Sequence, residues 1–305
     1  MGKIAFVFSG QGAQYPGMGR SLCERSKAAQ AVFSAADALR PGTQAQCFEG
    51  SEAELCETKN TQPCMFAVEL AAAAALEEAG LHADLAAGFS LGELAALTYA
   101  GAMSFETGFR LVCRRAEHMQ KAAEAASASM AAVLKLSNDT VSALCAQFEA
   151  VYPVNFNCPG QVTVSGRADQ MPAFCAGVKA AGGRAVPLKV RGGFHSPFMN
   201  SAAEAFSADA AAAGLQTPKI PVYANRTAQP YGGDVPALLT EQLCSPVLWE
   251  ESVRNMISAG ADTFLELGPG RTLCGLIAKT DASVRVYPAG EADGLEKILA
   301  EVTPC

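Results

Sequence analysis

The residues best suited to chemistry in this chain lie in the run Gly88-Phe89-Ser90-Leu91-Gly92-Glu93. It fits G-x-S-x-G and falls between an apolar stretch that reads as a strand and an alanine-rich stretch that reads as a helix. In that setting the glycines permit a sharp turn that lifts a serine hydroxyl clear of a sheet. The N–H of Leu91 then sits beside the hydroxyl and can stabilise an oxyanion, aided by the partial positive charge of the helix start. An ordinary strand-to-helix turn has the same residues, so the motif alone leaves both readings open.

A serine nucleophile needs a base, and the chain has three histidines. His82 lies in a polar connector and His118 inside a helical pattern. His195 lies in Arg191-Gly-Gly-Phe-His-Ser-Pro197, an irregular loop between a strand and a helix, where catalytic groups concentrate. By elimination His195 is the best base. No Asp or Glu stands out as its partner, and a backbone carbonyl would serve to orient it. In the helix expected after Ser104, Arg110, Arg114, Glu117 and Lys121 share a polar face, with Glu117 and Lys121 as an i,i+4 pair. Arg115 falls instead on the stripe of Leu111 and Met119, where a guanidinium is costly unless paired. It either snorkels or pairs with a core carboxylate, or it grips an anionic substrate bidentately. Gly10-Gln11-Gly12-Ala13-Gln14 and Gly268-Pro269-Gly270-Arg271-Thr272 lack the third glycine of a dinucleotide loop. The first could supply a second oxyanion N–H.

The elements that must position these groups read as α/β. Ile4–Phe8, Leu85–Phe89 and, late in the chain, Pro221–Ala224 and Thr263–Leu267 read as strands, interleaved with helices such as Pro63–Glu78 and Leu91–Ala100. Between them, Met130–Leu136, Thr140–Ala150, Tyr152–Asn157, Gln161–Ser165, Asp169–Ala181 and Arg184–Val190 give the order β-α-β-β-α-β of the ferredoxin-like unit. The expected fold is therefore a larger, mostly parallel α/β domain, residues 1–126 and 192–305, with a small ferredoxin-like domain, 127–191, inserted in it.

Composition narrows the function further. The chain has 305 residues, half of them apolar, and a net charge of −7. That suits a large buried core and makes nucleic acid or an anionic membrane a poor partner. The apolar run Ile4–Phe8 is too short for a signal segment, and Leu70–Leu76 is bracketed by Glu69 and Glu77, so no span across a bilayer is expected. Eleven cysteines without a C-x-x-C pair read as free thiols of a cytoplasmic protein, and no metal site is expected.

Taken together the motifs resemble malonyl-CoA:acyl-carrier-protein transacylases, the acyltransferase family of bacterial fatty acid synthesis, over nearly the whole chain. Phe6 to Gln14 is similar to the family's GQGSQ segment, Gly88 to Glu93 to GHSLGE, and Arg110 to Arg115 to its arginine helix. Asn155 to Gln161 resembles NFNSPGQ, and Gly193 to Pro197 the base loop. Gln242 to Trp249 and Glu266 to Gly270 resemble the C-terminal signatures. The resemblance implies acylation of Ser90, His195 as base, and an oxyanion hole from the N–H groups of Gln11 and Leu91. It also implies that Arg115 binds the malonyl carboxylate and that the main-chain carbonyl of Gln242 orients His195. No cofactor is implied; malonyl-CoA is a substrate and an acyl carrier protein the partner. Phe89 departs from the family's histidine, which changes a pocket wall. Phe194 matches the variant that accompanies malonyl rather than methylmalonyl. The basic residues Arg167, Lys179, Arg184, Lys189 and Arg191, against the single acid Asp169, suit docking of an acidic carrier or the coenzyme phosphates, or form a solvated face. A serine hydrolase on the same elbow, an acyltransferase of a polyketide pathway and an inactive acyl-binding subunit are the competing functions.

Overall fold

The structure, a computed structural model, describes residues 2–188, 190 and 192–302. Among the described residues, nine strands form two sheets. The larger sheet contains β1 (Lys3–Phe8), β2 (Leu85–Gly88), β7 (Val222–Tyr223), β8 (Ala261–Leu267) and β9 (Arg285–Pro288), all parallel, in the order β7-β2-β1-β8-β9. Central strand β1 is apolar at every position from Ile4 to Phe8 because both faces are covered. Ile4, Phe6 and Phe8 enter one core with Phe66 and Leu94. Ala5 and Val7 point the other way, into a second core with Trp249 and Phe264.

The smaller sheet is antiparallel, in the order β4-β5-β3-β6, built from β3 (Ala128–Leu134), β4 (Val151–Cys158), β5 (Gln161–Arg167) and β6 (Arg184–Pro187). Helices Asn138–Cys145 and Met171–Ala180 connect its strands and pack Val141 and Phe174 onto one face, so the ferredoxin-like expectation holds. Edge strand β4 is tied to the rest of the chain by Val247, whose N–H donates to Val154 O and whose carbonyl accepts from Phe156 N, each at 2.9 Å.

Several elements differ from the sequence reading. The helix expected from Pro63 begins at Thr58 and carries Pro63 inside it. Thr61 Oγ1 donates to the Glu57 carbonyl at 3.0 Å and Asn60 Nδ2 to that of Glu54 at 3.0 Å, and these bonds hold the extra turn despite the proline. Strand β6 stops at Pro187, which has no N–H for the ladder, and Leu188 and Val190 run on to line a cavity. Arg114 pairs with Glu117 at 2.7 Å in place of the Glu117–Lys121 pair.

The turn after β2 depends on two contacts that exclude side chains. A Cβ on Gly88 would lie 1.9 Å from the Gly92 carbonyl carbon, and one on Gly92 would lie 2.3 Å from Phe8 O. Gly88→Ala is expected to destabilise by about 3 kcal/mol or more, since the obstruction is backbone. Gly177→Ala, in a helix where the nearest atom is 3.8 Å away, should stabilise by about 0.5–1 kcal/mol. Urea unfolding of the two variants checks both signs.

Candidate active site

Ser90 sits at the carboxyl end of β2, with the loop after β1 on the neighbouring strand, where parallel sheets place their sites. Its φ is +56°, a left-handed conformation that a serine adopts only under constraint. The constraint is visible: Ser90 N–H donates to Asn225 Oδ1 at 2.7 Å, and Asn225 Nδ2 donates to Gly88 O at 2.6 Å. Asn225 lies two residues beyond the end of β7, so the ends of neighbouring strands fix the bend. The helix Gly92–Tyr99 starts immediately behind it. Among the described residues, the main-chain N–H groups of Gln11 and Leu91 have no hydrogen-bond partner. Gln11 lines the same cavity as Ser90.

His195 reaches Ser90 from 105 residues away, its Nε2 2.6 Å from Ser90 Oγ. It is 3% exposed and also takes a positive φ, +59°. Its Nδ1 lies 2.8 Å from the Gln242 carbonyl oxygen, which can only accept. The ring proton therefore sits on Nδ1, and the Nε2 lone pair faces the serine hydroxyl. Burial, and then the Arg115 cation, push this imidazole down to about 4, so it is neutral and able to take a proton. His82 is exposed beside Glu77, and His118 pairs with Asp209 at 2.8 Å; neither lines the cavity.

Arg115 has no solvent exposure, as its place on the apolar stripe requires. The structure chooses neither snorkelling nor a direct carboxylate. Nη1 donates to Gln62 Oε1 at 2.9 Å and Nη2 to Gln242 Oε1 at 2.8 Å, while Nη2 also lies 3.3 Å from Ser90 Oγ. Its Nε has no partner among the described residues. Burial pulls its pKa down to about 10, so it remains a cation at neutral pH. Behind it is Glu93, wholly buried, whose Oε1 accepts from Tyr231 Oη at 2.6 Å and Asn225 N at 3.1 Å. Gln242 Nε2 donates to Glu93 Oε2 and to Ser90 O, both at 2.6 Å. Burial raises the Glu93 carboxyl to about 7 against the pull of these donors and of Arg115.

Ser90 and His195 open on a cavity of about 270 Å³ between the two sheets, walled by Phe89, Phe194, Asn155 and Asn157. Phe89 packs edge-on against Trp249, with ring centroids 5.5 Å apart. Of the six site residues named from the sequence, Ser90, His195, Arg115 and Gln242 are joined by hydrogen bonds, Gln11 lines the same cavity and Leu91 follows Ser90 in the bend. Sequence reasoning missed Gln62, Glu93, Asn225 and Tyr231. Glu93, a carboxylate in the first turn of an otherwise apolar helix, was the one with a visible signal. Of the basic residues, Lys179 and Arg184 are exposed, and Arg167 is engaged by Asp169 and Glu149. Lys189 and Arg191 lie outside the described residues.

A serine at a strand-to-helix bend, a histidine from a remote loop and a ferredoxin-like insert define an acyl-transferring α/β protein. The chain belongs to the acyl transferase domain family, whose pattern it matches over residues 5–293. Its relatives are more particular. It is 36% identical to the malonyl CoA-acyl carrier protein transacylase of Bacillus subtilis, over 97% of this chain and 96% of that one. It is equally identical to the protein of that name from Synechocystis, over 97% and 100%. The solved malonyl CoA-acyl carrier protein transacylase of Clostridium perfringens superposes with a TM-score of 0.95 at 32% identity, covering 98% and 97%. A malonyl-transacylase solved with its type II polyketide synthase acyl-carrier protein gives 0.94 at 31%, covering 98% and 99%. The resemblance carried by the seven sequence segments is borne out, and no helix among the described residues is long and apolar enough to cross a membrane.

Because the folded pKa of His195 lies below the ordinary 6.5, the unfolded chain takes up this proton first as pH falls. The group contributes stability above pH 6.5 that is lost between 6.5 and about 4. In ¹⁵N NMR of histidine-labelled protein, the His195 ring should stay neutral, protonated at Nδ1, through pH 5. Titration of that ring near 6.5 would contradict the assignment.

Proposed function

We propose that this protein transfers the malonyl group of malonyl-CoA to the phosphopantetheine thiol of an acyl carrier protein, supplying fatty acid synthesis. The observation that carries the reading is the convergence of Ser90, neutral His195 and cationic Arg115 within hydrogen-bond range of one hydroxyl. His195 Nε2 takes the Ser90 proton as Oγ attacks the thioester carbonyl. The free N–H groups of Gln11 and Leu91 receive the oxyanion, each donor typically contributing about 3 kcal/mol. Collapse expels the coenzyme A thiolate, which takes the proton from His195, and leaves malonyl-Ser90. The carrier thiol then gives its proton to His195 and attacks the ester, and Ser90 recovers its proton as it leaves.

Arg115 supplies selectivity in this reading. Its unpartnered Nε and its approach to Ser90 Oγ suit the free carboxylate of a malonyl ester, which lies three bonds beyond the acyl oxygen. Phe194 narrows the cavity where an α-methyl would sit. The partner of His195 is a carbonyl and a cation faces the serine; both favour a transferase for a charged acyl group over a hydrolase on the same elbow. In the same reading residues 1–126 and 192–305 are the catalytic domain and 127–191 the small domain.

Intact mass after incubation with malonyl-CoA, acetyl-CoA or methylmalonyl-CoA tests it. A malonyl adduct should form, persist until a thiol acceptor is added, and be absent in Ser90→Ala. Arg115→Ala should slow malonyl loading roughly 10- to 100-fold more than acetyl loading, the equivalent of one or two charge-assisted hydrogen bonds. Equal slowing of both would remove Arg115 from its role.

The exposed cations Lys179 and Arg184 form, in our reading, part of the surface that receives the acidic carrier. Reversing both to Glu should raise the carrier KM severalfold and flatten its dependence on salt, without changing malonyl-Ser90 formation. An unchanged KM would discard the surface.

A further inference from the structure

We propose that Glu93 is a positioning residue that sets selectivity for a carboxylated acyl group by fixing the direction of the Gln242 side-chain amide. The inference rests on the malonyl transfer read above and extends it to a residue that touches neither substrate nor reacting atoms.

The argument is one of donors and acceptors. The Arg115 guanidinium offers only N–H groups, so the Gln242 amide atom 2.8 Å from Nη2 has to be oxygen. The other end of that amide then presents its NH₂ to Ser90 O and Glu93 Oε2, both acceptors at 2.6 Å. The amide is thus forced from both sides, by a group that only donates and a group that only accepts. Glu93 is that acceptor because its other oxygen is already filled by the Asn225 N–H and the Tyr231 hydroxyl. Three donors and no acceptor face the carboxyl, an arrangement that suits its ionised form.

Charge points the same way. Arg115 is fully buried, and no carboxylate forms an ion pair with it among the described residues. Glu93 is the buried carboxyl joined to it through a single amide, whose oxygen faces the guanidinium and whose NH₂ faces the carboxyl. Gln62 holds Nη1 and Gln242 holds Nη2 of the guanidinium, and its buried Nε has no partner among the described residues. Glu93 therefore decides where the guanidinium waits. The Gln242 main-chain carbonyl, which holds His195, is independent of this amide.

Glu93→Gln keeps the shape and breaks the pattern. The fixed Asn225 N–H keeps an oxygen toward itself, so the new NH₂ faces the Gln242 NH₂. Gln242 is forced to turn, and a donor then meets Arg115. Single-turnover loading of Ser90 is the readout. In Glu93→Gln, malonyl loading should fall about tenfold or more and acetyl loading by no more than about threefold, the span of one lost charge-assisted hydrogen bond. Gln242→Ala, which keeps the main-chain carbonyl, should lower the malonyl-to-acetyl ratio likewise and decides the matter if Glu93→Gln does not fold. Tyr231→Phe removes a donor from the far oxygen and should leave the ratio unchanged. A ratio unaltered in Glu93→Gln or, failing that, in Gln242→Ala overturns the proposal. Loss of both acyl groups in the wild type would instead sink the functional reading. The proposal is then decided by a crystal structure of the variant, supported by a displaced Arg115 and overturned by an Arg115 that superposes on the original.

Discussion

A guanidinium sealed in a protein core is the constraint from which the rest of this site follows. Removing Arg115 from water costs several kcal/mol unless its N–H groups are satisfied and its charge is answered. A carboxylate in contact would answer the charge but would also occupy the arginine and compete with any anionic ligand. This chain answers it at one remove. Amide oxygens of Gln62 and Gln242 accept from Nη1 and Nη2, and the Glu93 carboxyl lies behind the Gln242 amide. The cation stays held and still available, with Nη2 3.3 Å from the serine oxygen.

The backbone at the site is strained by design of the fold around it. Ser90 and His195 both occupy left-handed conformations, each costing on the order of 1–3 kcal/mol. Asn225 over-determines the first by gripping both sides of the bend, and the buried polar network absorbs the second. The strand beside the bend is anchored on both faces, with Phe6 and Phe8 in one core and Val7 in the other, and Leu91 and Phe194 carry the two strained loops into the first of these cores.

Much of this was legible beforehand. The elbow, the histidine loop and the arginine on an apolar stripe are local patterns, and the β-α-β-β-α-β order announced the small sheet. What escaped was set by distance in the chain or by tertiary packing. The turn Thr58–Gln62 was hidden because Pro63 normally opens a helix, whereas here hydrogen bonds to Glu54 and Glu57 extend it backward. The helices of 20–55, the strand Arg285–Pro288 and the helix Ala292–Val302 were not read from the sequence, although Ala29, Phe33 and Ala36 recur at helical spacing before Pro41-Gly42, as do Leu295, Ile298 and Val302. Asn225 and Tyr231 could not be linked to Glu93, more than 130 positions away, from any spacing. Periodicity placed Arg115 but not its partners, since a helical stripe says which way a side chain points and nothing about what awaits it.

The acceptor beneath the imidazole is a peptide carbonyl and not a side chain. A dipole carries no net charge, so the ring is aligned without installing an anion beside the pocket that, in the proposed reaction, receives one. It also cannot be deleted by exchanging one amino acid for another, apart from changes that move the backbone itself. The alignment of the base is thereby uncoupled from the identity of residue 242. The side chain there is left free to serve charge and selectivity on the opposite side of the serine. In the proposed reaction one residue thus serves the proton relay through its backbone and substrate choice through its side chain.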